Sequence, residues 1–309
     1  TTWVTAGLFL LADIIAQQRG PHGDGFTRGP LPAQPARLGL LFFLGAVAAA
    51  VMLTAGEAGS VVSTPLANAS EPTEVWYPSV VNTEGLNGAR YYSVLSVWNP
   101  SAAEITLTVD GFVSNTSGLS APTATVTATV PASTHATIPN VLAALFGGLQ
   151  GLAAARITAS GPATFFHSVV NDQTAAGNGQ TLLKIDNARG ENVLSSGSLL
   201  QLSSASADDR AMGKGKRTNI GYFNPSFDTK SVTFRAWTSN ATLIGEVVRS
   251  IPAWSQVQQP VFDLIPPTTP GNTVHDDFLV TFEVQGGGLL VYSTVVDNRT
   301  NDGVYQAAE

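Results

Sequence analysis

Apolar and polar residues alternate one by one along several short segments of this chain. Ile105, Leu107 and Val109 are separated by single polar residues, and Val232, Phe234 and Ala236 repeat the pattern. Because neighbouring side chains of a strand point to opposite faces, this spacing predicts β-strands with one buried face. Composition and flanking turn residues predict further strands at Ser93–Trp98, Ala124–Val130, Thr134–Ile138, Ala153–Ala159, Thr164–Val170, Thr218–Phe223, Glu246–Ile251, Gln256–Gln259, Phe278–Val284 and Gly288–Val296.

Two segments depart from the strand period. Asn140–Leu149 has apolar residues at helical spacing and predicts one short helix that closes an end of the β-structure. Val261–Ile265 is its shorter counterpart. Tyr77 with Val80, and Leu199, Leu200 with Leu202, are expected to begin the first and second β-domains.

The sequence contains an internal repeat. Residues 97–101 (VWNPS) recur as 222–226 (YFNPS), and residues 168–174 (SVVNDQT) recur as 294–300 (TVVDNRT). Between these segments, Pro131-Ala132 and Pro139 correspond to Pro252-Ala253 and Pro260. Anchors in the same order at an offset of roughly 120 residues indicate duplicated domains, since solenoid repeats are much shorter.

The predicted fold class is therefore all-β, with two tandem immunoglobulin-like antiparallel β-sandwiches of about seven strands each. We place the first module at residues 75–185, a connector at 186–195 and the second module at 196–309. Short strands between Gly, Pro and Asn turns favour this architecture.

An uninterrupted apolar segment, Leu38–Leu53, follows Arg37 and precedes small residues. A positive start, a hydrophobic middle and small residues at a cut after Ala58 are typical of an export signal. The alternative is a retained membrane anchor, although the segment is shorter than the ~20 residues of a spanning helix. We assign residues 37–59 to this signal or anchor helix, 60–74 to a linker and 1–36 to an N-terminal extension of uncertain origin.

Two resemblances bear on these assignments. The motifs YFNPS and STVVDNRTNDG, with VWNPS and SVVNDQTAAG in the first copy, resemble a β-sandwich module of bacterial secreted and cell-surface proteins. That resemblance covers residues 75–309 and implies fold and compartment without implying an activity. The stretch TAGLFLLADIIAQQ, within residues 4–18, is similar to the first helix of the Mpv17 and peroxisomal membrane protein family over that short span alone.

Composition argues against nucleic-acid binding and against thiolate metal sites. The net charge is −7 and only 12% of the residues are charged, which argues against nucleic acid as a partner because phosphate binding needs clustered basic residues. The small basic group Lys214, Lys216 and Arg217 is interpreted as a solvated linker. The chain has no cysteine, so it can form neither disulfides nor thiolate metal sites.

The repeated motifs supply a structural signature: Trp98, Asn99, Pro100, Phe223, Asn224, Pro225, Asp297, Asn298, Arg299 and Thr300. We predict that the Asn-Pro pairs close turns after a strand. Turn chemistry is also the preferred interpretation of residues 297–300 and Asp302, with a calcium loop as the alternative. No cofactor or metal is expected, since His22, His135, His167 and His275 share no ligand spacing.

Catalytic candidates are weak. His275, Asp276 and Asp277 are predicted to form a solvated charge run in a Pro/Thr/Gly loop, and His135 and His167 align with Gln256 and Ser293 in the other copy. We therefore expect a non-catalytic structural or adhesive module protein, extracellular, at the cell surface or in the periplasm. The alternatives are a module that binds carbohydrate or protein through its end loops, with Trp76, Trp237 or Trp254 stacking on sugars, and a secreted hydrolase.

Overall fold

The computed structural model describes residues 74–85, 88–115, 121–174, 179–185 and 190–309. The predicted N-terminal extension with its Mpv17-like stretch, the signal or anchor segment and linker residues 60–73 lie outside these described residues, and Glu74, the last predicted linker residue, begins the first strand. None of the helices described is long and apolar enough to cross a membrane. Ser63–Glu309 forms one compact unit.

The N-half, our name for residues 74–185, contains eight described strands and one short helix. The strands are β1 (Glu74–Glu84), β2 (Arg90–Trp98), β3 (Ile105–Val113), β4 (Ala124–Val130), β5 (His135–Ile138), β6 (Gly151–Ala159), β7 (Thr164–Asp172) and β8 (Gln180–Ile185). The helix, α1 (Val141–Leu145), lies between β5 and β6. The antiparallel sheet order is β4-β3-β6-β1-β2-β7-β8, and β5 pairs with β2. Strand β1 pairs with β6 from Glu74 to Asn82, with a register shift between Tyr77 and Val80, and with β2 from Asn82 to Glu84.

The C-half, residues 190–309, forms two four-stranded antiparallel sheets, whereas the strands of the N-half are joined in one eight-stranded sheet because β1 pairs with both β6 and β2. One C-half sheet has the order β13-β10-β15-β16 and the other β12-β11-β14-β9. The strands are β9 (Ser196–Ser204), β10 (Lys216–Phe223), β11 (Lys230–Thr238), β12 (Leu243–Ile251), β13 (Gln256–Pro260), β14 (His275–Gln285), β15 (Leu290–Asp297) and β16 (Gly303–Ala307). The helices are α2 (Ala207–Ala211) and α3 (Val261–Leu264).

Each half buries its own apolar core. The N-half core includes Val80, Leu95 and Val109, and the C-half core includes Leu202, Ile220 and Phe234. All residues of the first cluster belong to the N-half and all residues of the second to the C-half. The antiparallel all-β prediction is confirmed, and the alternating residues of β3 and β11 point their apolar members inward as expected.

The structure corrects several local predictions. The helix predicted at 140–149 ends at Leu145, because the chain turns at Gly147 and Gly148 with positive φ angles of 67° and 85°. Strands β8 and β16 were not predicted. The basic residues Lys216 and Arg217 belong to β10 rather than to a linker, since their backbone pairs with β15.

Candidate functional site: the junction between the halves

The first signature turn, after β2, is closed by Asn99. Its buried side-chain amide donates to the main-chain carbonyls of Ala103, Val130 and Pro131 at 2.8, 3.0 and 3.0 Å. Its side-chain oxygen accepts the Ser101 N–H at 2.9 Å and the Ser101 hydroxyl at 2.6 Å. One asparagine therefore joins the turn after β2 to the end of β4, which explains the motif better than a local turn alone.

Asn224 repeats this network in the C-half. Its amide donates to the carbonyls of Asp228, Ile251 and Pro252 at 2.8, 3.1 and 2.9 Å, and its oxygen accepts the Ser226 hydroxyl at 2.7 Å. Pro100 and Pro225 follow these asparagines directly. Both Asn-Pro pairs thus act in turns, as predicted from the sequence.

The second signature segment, after β15, is also a turn. The Asp297 carboxylate accepts the N–H groups of Arg299 and Thr300 at 2.8 and 3.1 Å, and these hydrogen bonds hold the pKa of Asp297 below its usual value. The buried Asn298 donates to the Lys214 carbonyl and accepts from the Arg217 guanidinium, both at 2.8 Å. These contacts occupy the oxygens that a calcium loop would need, so they favour the turn interpretation. Within the described ranges, no three His, Asp or Glu side chains are grouped to hold a metal ion.

The same C-half turn binds the N-half. The main-chain oxygen of Asn301 accepts the Asn171 amide at 3.0 Å and the Tyr91 hydroxyl at 2.8 Å. Gln173 donates to the Thr300 carbonyl at 2.6 Å. Asn171 and Gln173 occupy the repeat positions of Asp297 and Arg299. Their divergence from the second copy therefore has a structural role: the N-half residues contact the turn that their counterparts form.

An aromatic cluster fills the junction beside this turn. Trp76 and Phe112 come from the N-half, whereas Phe223 and Trp254 come from the C-half. The Phe112 ring lies 5.1 Å from Phe223 and 5.0 Å from Trp254, stacked on the latter. Phe223 is fully buried and Trp254 is only 6% exposed. Trp76 and Trp254 are packed against each other, with ring centroids 6.2 Å apart, so Trp254 is buried in the junction and Trp76 is partly buried.

Hydrogen bonds surround the aromatic cluster. Gln256 donates to the Pro78 carbonyl at 3.2 Å and to the Tyr292 hydroxyl at 3.1 Å. The Tyr292 hydroxyl donates to Gln258 at 2.9 Å, and complete burial raises the pKa of Tyr292 strongly. Asn115 donates its backbone N–H to the Gln256 carbonyl at 2.9 Å. Apolar packing and polar contacts thus cross the same junction.

A cavity of about 390 Å³ opens between the halves. Its hydrogen-bonding walls include Tyr91 from the N-half and Arg217, Asn219, Gln258 and Tyr305 from the C-half. Val81, Leu152 and Val296 supply apolar surface. Pockets of this size, apolar with a few polar groups, are typical of small-ligand sites.

Arg217 supplies positive charge to this cavity. It is half-buried, and burial lowers the pKa of its guanidinium from the usual value. Its hydrogen-bond partners are the neutral side chains of Asn298 and Asn301, at 2.8 and 3.5 Å. Among the described residues, no carboxylate lies within ion-pairing distance of it. The cavity wall also includes the Glu84 carboxylate, so it presents one group of each charge and can bind a ligand through hydrogen bonds and ion pairs.

The histidines lie apart. His167 is buried in the N-half, with its Nε2 atom 2.9 Å from the Ser93 hydroxyl, which also accepts the Val81 N–H. The sequence did not reveal this serine–histidine contact, because the two residues come from different strands. Ser93 is fully buried, so a substrate cannot reach its hydroxyl. His135 is exposed at the start of β5, while His22 lies outside the described residues.

The prediction that His275, Asp276 and Asp277 form a loop is wrong, since they begin β14. His275 contacts the Asn272 carbonyl at 3.1 Å and its ring lies 5.6 Å from Phe262. Asp276 and Asp277 are exposed, as expected. Trp237 donates to the Thr281 hydroxyl at 3.0 Å on the outer surface of β11 and β14.

The structure thus brings Phe223 and the segment 297–300 of the signature to the junction, and leaves Trp98 exposed on the N-half. Asn99 and Asn224 stay within their own halves. Sequence analysis missed the junction residues Phe112 and Tyr91 and named Trp76 only as a candidate for sugar stacking, although the divergence of Asn171 and Gln173 between copies was a visible signal.

Comparisons with known proteins identify no relative for this chain. No protein-family model matches it, and no curated protein matches it. Among solved structures, it is similar to Bacteroides uniformis beta-glucuronidase 2 covalently bound to cyclophellitol-6-carboxylate aziridine, with 9% identity and a TM-score of 0.14. That match covers 71% of this chain and 26% of the glucuronidase chain. A likeness this low carries no argument about function.

Proposed function

We propose that this chain is a non-catalytic structural or adhesive protein that is extracellular or lies at the cell surface. In this proposal its two halves are copies of one immunoglobulin-like sandwich module, exported by the apolar segment at residues 38–53. The observation that carries the proposal is the role of the repeated signature residues. Asn99 and Asn224 close turns in the two halves, and Phe223 and Thr300 of the C-half also contact the N-half.

The contacts at the junction support a structural role. Buried aromatic rings and direct hydrogen bonds connect the halves, which limits hinge motion between them. Only 12% of the residues are charged, and Ser and Thr are frequent. This composition suits a protein that is selected for its folded modules and not for a catalytic site.

The junction can be tested with a matched pair of substitutions. Phe223→Ala removes a fully buried ring from the cluster, whereas Trp98→Ala removes an exposed ring at the same repeat position. We expect Phe223→Ala to lower the free energy of unfolding by about 3–5 kcal/mol and Trp98→Ala to change it by less than about 0.5 kcal/mol. Urea unfolding followed by tryptophan fluorescence measures both. If both substitutions lowered the free energy of unfolding equally, the junction would no longer support the structural role.

Location and activity need separate experiments. Mass spectrometry of the native N-terminus should find a mature chain beginning near Gly59, and an intact N-terminus in a membrane fraction would favour the retained anchor. A glycan array and a hydrolase substrate panel should both be negative for residues 60–309. Turnover abolished by substituting His135, His167, Asp276 or Asp277 would overturn the non-catalytic proposal.

The junction cavity supports one second candidate, a carbohydrate-binding function. Its 390 Å³ volume and its polar wall, with Tyr91, Tyr305, Glu84 and Arg217, suit one sugar residue. In this candidate the binding site lies between the halves, whereas the sequence suggested the end loops. Calorimetric titration with acidic and neutral oligosaccharides tests it. Asn219→Ala, in the cavity wall, should abolish binding, and the exposed-turn variant Asn240→Ala should not.

A further inference from the structure

The junction joins two unlike surfaces. One, the Phe223 face, is the outer surface of β10, β13 and β15 with Phe223, Leu290 and the adjoining Trp254. The other, the Trp76 face, is the outer surface of β1, β3 and β6 with Trp76, Phe112 and Ala154. Contacts between two different patches are heterologous, so repeating them produces an open chain of modules instead of a closed pair.

Strand register locates the equivalent of the Phe223 face on the N-half. Phe223 pairs with Gln256 and Leu290, just as Trp98 pairs with His135 and Thr164. Two residues earlier in each strand, Gly221 pairs with Tyr292 and Ser96 pairs with Phe166. We call this N-half surface, with Trp98 and Phe166, the Trp98 face.

Register also locates the equivalent of the Trp76 face on the C-half. In the N-half Phe112 pairs with Ala154, and at the equivalent positions of the C-half Trp237 pairs with Leu279. Trp76 pairs with Arg156, and Ser198 pairs with Thr281. By the same register Leu199 is equivalent to Tyr77. The next residue, Leu200, is therefore equivalent to Pro78. We call this surface, with Trp237, Leu279 and Leu200, the Trp237 face.

Both equivalent faces are open. Trp98 is 41% exposed and Phe166 is 43% exposed, whereas their counterparts Phe223 and Tyr292 are fully buried in the junction. On the C-half, Leu200 is 45% exposed, and Trp237 and Leu279 are partly exposed. Large aromatic side chains exposed on adjacent strands are characteristic of interaction surfaces.

We infer that a second copy of this chain covers these faces, with the Trp98 face of one molecule docking on the Trp237 face of the next. The inference rests on the proposed structural role, because it continues the contact between the two halves from one molecule to another. In the junction, Gln256 binds the Pro78 carbonyl. The exposed His135 takes the place of Gln256 and offers an imidazole N–H donor toward the position of Leu200.

Chains joined in this way form head-to-tail arrays, either open or closed into a ring, since each molecule contributes one face at either end. A head-to-tail array matches a surface protein that spaces or displays other components. The contact is also expected to be weaker than the internal junction. Within one chain the two halves are tethered at high effective concentration, whereas separate molecules must associate from solution.

The test uses residues 63–309, a compact unit that contains all residues of both cores. Sedimentation velocity over about a hundredfold range of concentration should show the wild-type weight-average mass rising beyond a dimer. Trp98→Glu blocks one face and Leu200→Glu blocks the other, and each should weaken self-association at least about tenfold. Met212→Glu, at a residue that is 59% exposed outside both faces, should associate like the wild type.

Mixing the two blocked variants gives the decisive result. Trp98→Glu retains the Trp237 face and Leu200→Glu retains the Trp98 face, so the mixture should form a one-to-one dimer that neither variant forms alone. A wild-type chain that stays monomeric would overturn the inference. So would a Leu200→Glu variant that still dimerises with itself, because that result means a symmetric contact between Trp98 faces. Circular dichroism confirms that each variant is folded, and the location and activity assays of the proposed function are independent of these outcomes.

Discussion

Asn171 donates its side-chain amide to the main-chain carbonyl of Asn301, 3.0 Å away, across the junction between the two halves. The Asn171 side chain is fully buried, and its repeat counterpart is Asp297. A carboxylate at residue 171 could not donate to that carbonyl and would also face the Asp302 carboxylate. The difference between the copies at this position is therefore required by their docking.

Substitution of Asn171 tests this contact. Asn171→Ala should lower the free energy of unfolding by about 1–3 kcal/mol, because the Asn301 carbonyl loses a buried partner. Asn171→Asp should cost more, since it buries a charge beside a carbonyl oxygen. Chemical denaturation measures both. The exposed Ser239→Ala is the control, and an Asn171→Asp variant as stable as the wild type would contradict the assignment.

The two buried turn asparagines should behave alike. Asn99→Ala and Asn224→Ala each leave three main-chain carbonyls without the amide donor, so each should destabilise its half by about 2–3 kcal/mol. Ser101→Ala and Ser226→Ala remove a hydroxyl that contacts the asparagine and the Ala103 or Asp228 carbonyl, and each should cost about 1 kcal/mol or less because those carbonyls keep the asparagine amide. Equilibrium urea unfolding compares the four variants. A cost for the asparagines no larger than for the serines would show that the three-carbonyl network does not stabilise the turns.

Gly221 is required by the ring of Tyr292. A Cβ atom at residue 221 would overlap the ring atoms of Tyr292, so Gly221→Ala should destabilise the protein by about 1–3 kcal/mol. In a Tyr292→Ala background the same substitution should cost much less, because the obstructing ring is gone. A double-mutant cycle from thermal or urea unfolding gives the coupling energy. Additive costs would mean that steric overlap is not the cause.

Acid should weaken the junction turn. Hydrogen bonds from the Thr300 and Arg299 N–H groups lower the pKa of Asp297, and those from Thr174 lower the pKa of Asp172. A carboxyl whose pKa is lower in the folded than in the unfolded state stabilises the fold above its unfolded value. That contribution is lost as the pH falls through the folded value. Unfolding followed from about pH 6 to about pH 2 should therefore show declining stability.

Substituting both carboxylates should flatten that decline. Asp297→Asn and Asp172→Asn each remove one titrating group, and the double variant should have the shallowest pH dependence of the three. An unchanged slope in the double variant would show that other groups control acid sensitivity.

The sequence alone determined most of the strands and the repeated motifs. The spacing of Ile105, Leu107 and Val109 specifies a strand with one buried face, because side chains alternate across any extended backbone. The recurrence of Asn99-Pro100 as Asn224-Pro225 revealed the repeat, and turn chemistry is local enough to be predicted from a few residues. These features needed no knowledge of distant contacts.

The tertiary structure decided which repeated positions meet. Trp98 and Phe223 are equivalent in sequence, yet one is 41% exposed and the other fully buried, because only Phe223 packs against Trp76 and Phe112. The Ser93–His167 contact and the cavity at Arg217 likewise depend on strands far apart in the chain. Local patterns specify which face of a strand is buried, but contact between two such faces depends on how whole domains dock.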